Sequence, residues 1–205
     1  MDSYGYEMYR QAISTAPLAT FKGHKEVTTT LEHVDKDYGL LYLTDIKNRG
    51  LPREAVQQYC NLNDSIGGPQ KFDIDGLHIS PSCLRYLSHA LRILENVGRT
   101  DMYPVNIVEV GGGYGGLVLA LNHLSNRIAS YAIVDLPESI DLQQRYLANF
   151  NLTFPVTFYD GRNYGEELPS NNYFLISNYA ICEFTQDIQQ QFIQRLLPKC
   201  QHGFC

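Results

Sequence analysis

A short apolar run, Val105 to Val110, delivers the chain into Gly111-Gly112-Gly113-Tyr114-Gly115-Gly116, and an amphipathic stretch from Leu117 to Leu124 follows at once. A strand that ends in glycines and turns straight into a helix constrains the fold strongly, because close approach and unusual dihedrals at the turn exclude side chains there. The pattern then repeats. Tyr131-Ala132-Ile133-Val134 reads as a buried strand ending at Asp135-Leu136-Pro137, and a helix runs from Glu138 to Phe150. Pro155 to Tyr159 is a third strand, closed by Asp160-Gly161, and Tyr173 to Ser177 a fourth. A helix capped by Thr185 carries Ile188, Phe192 and Leu196 on one face, and His202 to Cys205 opens a fifth strand. Strict alternation of strand and helix predicts an α/β fold with a parallel sheet covered on both faces. In such sheets ligands bind beyond the carboxyl ends of the strands, so the residues following each strand carry the functional information.

Residues 1–100 differ in pattern. They read as helices joined by polar loops, with little strand signal, and form a helical N-terminal extension to the unit at 101–205. Short helices are expected over Tyr38 to Ile46 and Pro52 to Leu62, the second with proline suited to a first turn. Asn63-Asp64-Ser65-Ile66-Gly67-Gly68-Pro69 is a loop by local rules. A longer helix follows, with Ser80 as N-cap, Pro81 in its first turn, Leu84, Leu87, Leu91 and Leu94 on one face, and Gly98 as its stop.

The glycine turn is itself a candidate ligand cradle. Gly111, Gly113 and Gly116 satisfy the GxGxxG pattern of nucleotide-binding strand-turn-helix units. Asp135 ends the second strand 24 residues beyond Gly111, close to the spacing at which an acidic residue accepts hydrogen bonds from ribose hydroxyls. The same residue could instead cap the next helix. Asp160, at the end of the third strand, either meets an adenine amino group or serves the Asp-Gly turn.

Composition narrows the partners. The net charge of −6 argues against a general electrostatic grip on nucleic acid. The five cysteines, Cys60, Cys83, Cys182, Cys200 and Cys205, are scattered without CxxC spacing, as expected of reduced thiols in a cytoplasmic protein. No metal-ligand cluster is evident among the six histidines, and no metal-ligating residue is singled out. No apolar run reaches the ~20 residues that span a bilayer, and no secretory signal opens the chain.

Taken together, Ile107-Val108-Glu109-Val110-Gly111-Gly112-Gly113-Tyr114-Gly115-Gly116, Ile133-Val134-Asp135-Leu136-Pro137-Glu138 and Ser177-Asn178-Tyr179-Ala180-Ile181-Cys182-Glu183-Phe184 resemble the sugar O-methyltransferases. Asn63-Asp64, Gly67, Pro69, Ser80-Pro81 and Leu84-Arg85-Tyr86 extend the resemblance over about residues 60–205. Glu109, Gly111, Gly113 and Gly115 also fit the E/D-x-G-x-G-x-G motif of class I methyltransferases. The resemblance implies a Rossmann-like class I sheet, S-adenosylmethionine (SAM) as cofactor, and methyl transfer to a small-molecule or glycan hydroxyl, with neither nucleic acid nor membrane as partner. By position it places Glu109, Gly111, Gly113, Tyr114, Asp135, Leu136 and Asn178 around the cofactor. Carboxylates at Glu109 and Asp135 suit a cationic sulfonium, and Tyr114 either adds a cation–π contact or is a plain loop aromatic. Glu183 is the candidate catalytic base, with the helix dipole as the alternative reason for its position. His78 and His89 are further candidates. Arg85-Tyr86 either binds the cofactor carboxylate or an anionic substrate, or faces solvent.

The sequence departs from that family at its C-terminal end. The resemblance implies a seven-stranded sheet closed by a hairpin, whereas five strand signals are present. A sheet lacking its last strands is therefore expected, completed in a homo-oligomer or by a second chain, or belonging to a non-catalytic remnant. A nicotinamide-dependent oxidoreductase using the same glycine fingerprint is the alternative from another class; Glu109 directly before the glycines weighs against it.

Overall fold

The structure, a computed structural model, describes residues 3–204; Cys205 lies outside them. Helices α1 (Ser3–Thr15), α2 (Lys25–Thr30), α3 (Lys36–Asn48) and α4 (Arg53–Asn63) precede a small antiparallel hairpin, β1 (Phe72–Ile74) and β2 (Leu77–Ile79). The long helix α5 (Pro81–Val97) then leads to β3 (Val105–Val110), α6 (Gly116–Leu124), β4 (Ile128–Asp135), α7 (Pro137–Leu147), β5 (Val156–Asp160), β6 (Tyr173–Ile176), α8 (Ala180–Glu183), α9 (Gln186–Arg195) and β7 (Cys200–Phe204).

Five strands form one parallel sheet in the order β5-β4-β3-β6-β7, the doubly wound Rossmann-like arrangement. The chain runs outward from β3 through β4 to β5, then crosses back to β6 on the other side of β3. This reversal opens a crevice at the carboxyl ends of β3 and β6. Alternation along the strands assigns the two faces. Ile107, Tyr131, Ile133, Phe174 and Ile176 join the large core under α5, α6 and α7. Val108, Val110, Ala132, Val134 and Leu175 face Phe192 and Leu196, at the end of α9, in a smaller one. Glu109 falls on the large-core face, which is why a carboxylate ends up buried there.

The N-terminal helices share that large core. Tyr9, Ile13, Phe21, Leu43, Ile46, Val56 and Tyr59 are buried in the same cluster as Val105 and Ile107, so the apolar interior is continuous across residue 100. The hairpin at 72–79 was not apparent from sequence, because each strand has three residues, too few to show a period. The α5 boundaries follow local signals: the Ser80 hydroxyl accepts from Cys83 N–H, Pro81 opens the helix and Gly98 follows it. Gly98 keeps right-handed dihedrals (φ −63°), so its glycine character is not what ends the helix.

A buried polar knot joins the helical region to the sheet. The Asn63 side-chain oxygen accepts from the Tyr114 and Tyr146 hydroxyls at 3.2 and 3.0 Å, and its main-chain carbonyl accepts from Lys22 Nζ at 2.6 Å. Asp64 accepts from both the N–H and the hydroxyl of Ser80 at 2.7 Å. Truncating Asn63 removes the side-chain acceptor of the Tyr114 hydroxyl, one of the two acceptors of the Tyr146 hydroxyl and a donor to Asp64, at ~1–3 kcal/mol for each buried group left unsatisfied. Asn63→Ala is expected to lower stability by about 3 kcal/mol in urea denaturation, while Asn61→Ala, on the exposed face of α4, changes it by less than about 0.5 kcal/mol.

Candidate functional site

A cavity of about 260 Å³ opens at the carboxyl ends of β3, β4 and β6. Glu109, Gly111, Gly112 and Gly113 come to it from β3 and its turn, Asp135 from the end of β4, and Asn178, Tyr179, Ala180 and Glu183 from the segment after β6. Tyr9, Thr30, Leu31 and His33 close it from the N-terminal region, and Arg85, Tyr86 and His89 line it from α5. The fold thus gathers Glu109, Gly111, Gly113, Asp135, Asn178 and Glu183, residues up to 74 positions apart, around one space.

The glycine turn is shaped by close packing. Gly111 has φ +77°, and a Cβ there would lie 2.3 Å from the Ala180 side chain, so the turn after β3 and the one after β6 touch through this residue. At Gly116 a Cβ would come within 2.7–3.0 Å of the Tyr86 and Tyr114 rings, and at Gly115 within 3.0–3.2 Å of Leu147. The start of α6 is therefore sealed by side chains, whereas Gly111–Gly113 face the cavity.

The two acids differ in their partners. Glu109 is 2% exposed and accepts from the Tyr131 hydroxyl at 2.9 Å. Burial pushes its carboxyl up to about 8, partly offset by that hydrogen bond and raised further by Asp135, so it holds a proton at neutral pH. Asp135 is tied more fully. Its Oδ2 accepts from Gly112 N–H at 3.0 Å and Gln143 Nε2 at 2.8 Å, and its Oδ1 from Leu136 N–H at 2.8 Å, with Ser139 a further donor. Burial still raises it to about 6. Asp135 thus fastens the glycine turn to the start of α7, and its oxygens are shared among protein donors before any ligand arrives.

Four expected positions lie away from the cavity. Tyr114 is fully buried beneath the turn, with Phe21, Tyr86 and Tyr146 edge-on to it at 5.4, 5.3 and 5.0 Å. Its cation–π partner is an internal lysine, Lys22, 4.4 Å from the ring centroid. A large apolar ring next to a packed glycine turn is drawn into the core. Leu136 contributes an N–H to Asp135 and does not line the space. Asp160 is paired with the Arg162 side chain and accepts Arg162 N–H at 3.0 Å, the turn role; this neighbouring charge holds its carboxyl below the usual range. His78 sits exposed on the small hairpin, away from the cavity.

Of the remaining cavity residues, His89 was a candidate from the sequence, whereas Tyr9 had no signal there. Tyr9 reaches it because α1 is fastened to α7. Arg10 pairs with Glu138, and Arg145 Nη2 donates to the Ile13 carbonyl at 2.9 Å. His89 stacks edge-on against Tyr42 at 5.9 Å and lies 6.2 Å from the Tyr179 ring. Burial, with Arg85 and Arg92 nearby, lowers it to about 4, leaving it neutral at pH 7. Tyr179 itself adopts φ +74°, a costly conformation for a bulky residue of the kind that clusters at functional sites.

The raised Glu109 carboxyl makes stability depend on pH. The folded state binds this proton more tightly than the unfolded chain. Its contribution is complete below the ordinary glutamate range near 4.5 and is lost as pH rises through about 8. At ~1.36 kcal/mol per unit, the decline is on the order of 4 kcal/mol. Glu109→Gln, which keeps an acceptor for Tyr131, is expected to flatten this part of the profile in melts between pH 5 and 9.

Neither known family models nor curated proteins match this sequence. Solved structures similar to the chain include a candidate RNA methyltransferase from Pyrococcus horikoshii, at 18% identity and TM-score 0.40 over 57% of this chain and 54% of that one. They also include the mitomycin 7-O-methyltransferase MmcR, at 14% identity and TM-score 0.45 over 96% of this chain and 46% of that one. The chain spans about half the length of each.

Proposed function

We propose that this protein is a SAM-dependent O-methyltransferase whose acceptor is a sugar hydroxyl. The observation that carries the reading is the cavity itself. At the switch point of a Rossmann-like sheet, two buried carboxyl groups, Glu109 and Asp135, and the open face of Gly111–Gly113 share one space with Asn178 and Glu183. The donor set suits a cationic nucleoside: acceptors for its positive groups on the β3–β4 side, and the Asn178 amide beside the turn.

The sealed start of α6 weighs against a nicotinamide dinucleotide. A pyrophosphate seats on the exposed N–H groups of that helix, and here Tyr86, Tyr114 and Leu147 cover it. The Asp135 carboxylate beside the glycines would further oppose a dianion.

When bound, SAM supplies an electrophilic methyl on a sulfonium. Glu183 would accept the proton of an acceptor hydroxyl as that oxygen takes the methyl group. Glu183 lies at the end of α8, exposed at the mouth of the cavity, where an acceptor can reach it from solvent. His89, neutral at pH 7, and the Tyr179 ring beside it offer a wall that does not repel a sulfonium.

Calorimetry on the full chain is expected to detect SAM and not NAD, with SAM affinity about tenfold weaker or more in Asp135→Asn. In assays with methyl-labelled SAM and a panel of hexoses and deoxyhexoses, Glu183→Gln is expected to keep SAM affinity within about threefold and to lower turnover by ~10²–10⁴. NAD binding in place of SAM would reject the methyltransferase reading. SAM binding with transfer to no member of the panel would reject the sugar acceptor.

A further inference from the structure

Among the described residues lining the cavity, Arg85 is the one permanently charged cation. It is 7% exposed, and its guanidinium is held in place. Nη2 donates to the Leu31 carbonyl at 2.7 Å, and the guanidinium carbon stands 5.0 Å from the centroid of the Tyr86 ring. No carboxylate forms an ion pair with it among the described residues. Glu32 attracts it from beyond ion-pair distance. Of its five donors, one is spent on the Leu31 carbonyl and another is shared with the Tyr86 hydroxyl, which leaves further N–H groups of a charged fork at the cavity wall for an acceptor.

Its supports also locate it. Leu31 and the Tyr86 hydroxyl both stand 3.4 Å from where a Cβ would project at Gly113, so Arg85 is fixed on the Gly113 side of the turn. The acids sit on the other side. Glu109 Oε2 lies 3.2 Å from where a Cβ would project at Gly112, and Asp135 Oδ2 accepts the Gly112 N–H. Across the two middle glycines the site therefore runs from acid to base, an arrangement suited to a zwitterion.

We propose that Arg85 binds the carboxylate of the amino-acid end of SAM, whose ammonium points toward Glu109 across Gly112 and Gly113. This rests on the methyltransferase reading above, and it gives the chain a means of selecting the amino-acid form of the cofactor. Arginine suits the task because its planar fork meets a carboxylate with two parallel hydrogen bonds. Leu31, which orients it, belongs to the segment just after α2, so the N-terminal region helps set the clamp.

The test compares S-adenosylhomocysteine with its decarboxylated counterpart, by calorimetry on the full chain. The wild-type protein is expected to bind the carboxylated ligand about tenfold or more tightly, the range of a charge-assisted hydrogen bond. Arg85→Met is expected to bind both within about threefold of each other, and Arg85→Lys to retain part of the preference. Should Arg85→Met melt early, Arg85→Gln keeps a donor for the Leu31 carbonyl while removing the charge, and the same loss of preference is expected. A preference that survives these substitutions, or is absent from the wild-type protein, overturns the proposal while leaving SAM binding intact, and would assign Arg85 to an anionic acceptor. Binding of neither ligand by the folded wild-type protein overturns both readings together.

Discussion

Asn63 is the point on which the rest of the structure depends. One side chain and one carbonyl at the end of α4 receive Lys22 from the N-terminal segment, Tyr114 from the glycine turn and Tyr146 from α7. Its neighbour Asp64 receives Ser80 at the start of α5. Each of these groups is polar and buried, so each needs its partner. Satisfying them at one place forces the N-terminal helices, the long helix α5 and the sheet into a single arrangement. Lys22, 1% exposed, is an expensive residue to bury. Burial lowers its affinity for a proton, and the Tyr114 and Tyr146 rings at 4.4 and 5.0 Å offset that through their faces.

The consequence reaches the cavity. Because Tyr114 is drawn downward into this knot, the glycine turn above it is left with bare backbone facing the space at Gly111–Gly113. Because Phe21 and Lys22 are anchored there, the chain that follows them brings Leu31 over Gly113. The start of α6 is sealed in the same way, so the turn presents its first three glycines to a ligand and hides the last two. One packing solution thus decides which end of a glycine-rich loop is open to the cavity.

Electrostatics follow from topology in the same sense. Alternation along β3 puts Glu109 on the face beneath α5, α6 and α7, two residues along β4 from being opposite Tyr131. Once there it is neutral at pH 7, and a cationic ligand would recover its charge. Asp135 carries a double duty. It holds the turn to α7 and borders the cavity, so ligand binding and the geometry of the turn are coupled through the donors on its two oxygens.

The strand-glycine-helix run at 105–124, the alternation beyond it, and the Ser80-Pro81 start of α5 are local signals. They depend on neighbours a few residues away, and the α/β class, the parallel sheet and the positions of Glu109, Asp135, Asn178 and Glu183 at strand ends were legible from them. Asn63-Asp64 shows where that reading stops: by local rules the pair belongs to a surface loop, yet the structure buries both because partners from four distant segments meet them there. Tyr114 and Asp160 fall outside the cavity for similar reasons, one taken by a core of rings and the other by Arg162. Arg85-Tyr86 was a candidate from the sequence, but Tyr9, Leu31 and His33, which close the cavity around it, carry no mark there. Sequence spacing determined what lies at the end of each strand. Only the packing of the N-terminal helices decided what lies across from it, because those contacts join residues separated by more than 50 positions and no periodic pattern spans such a gap.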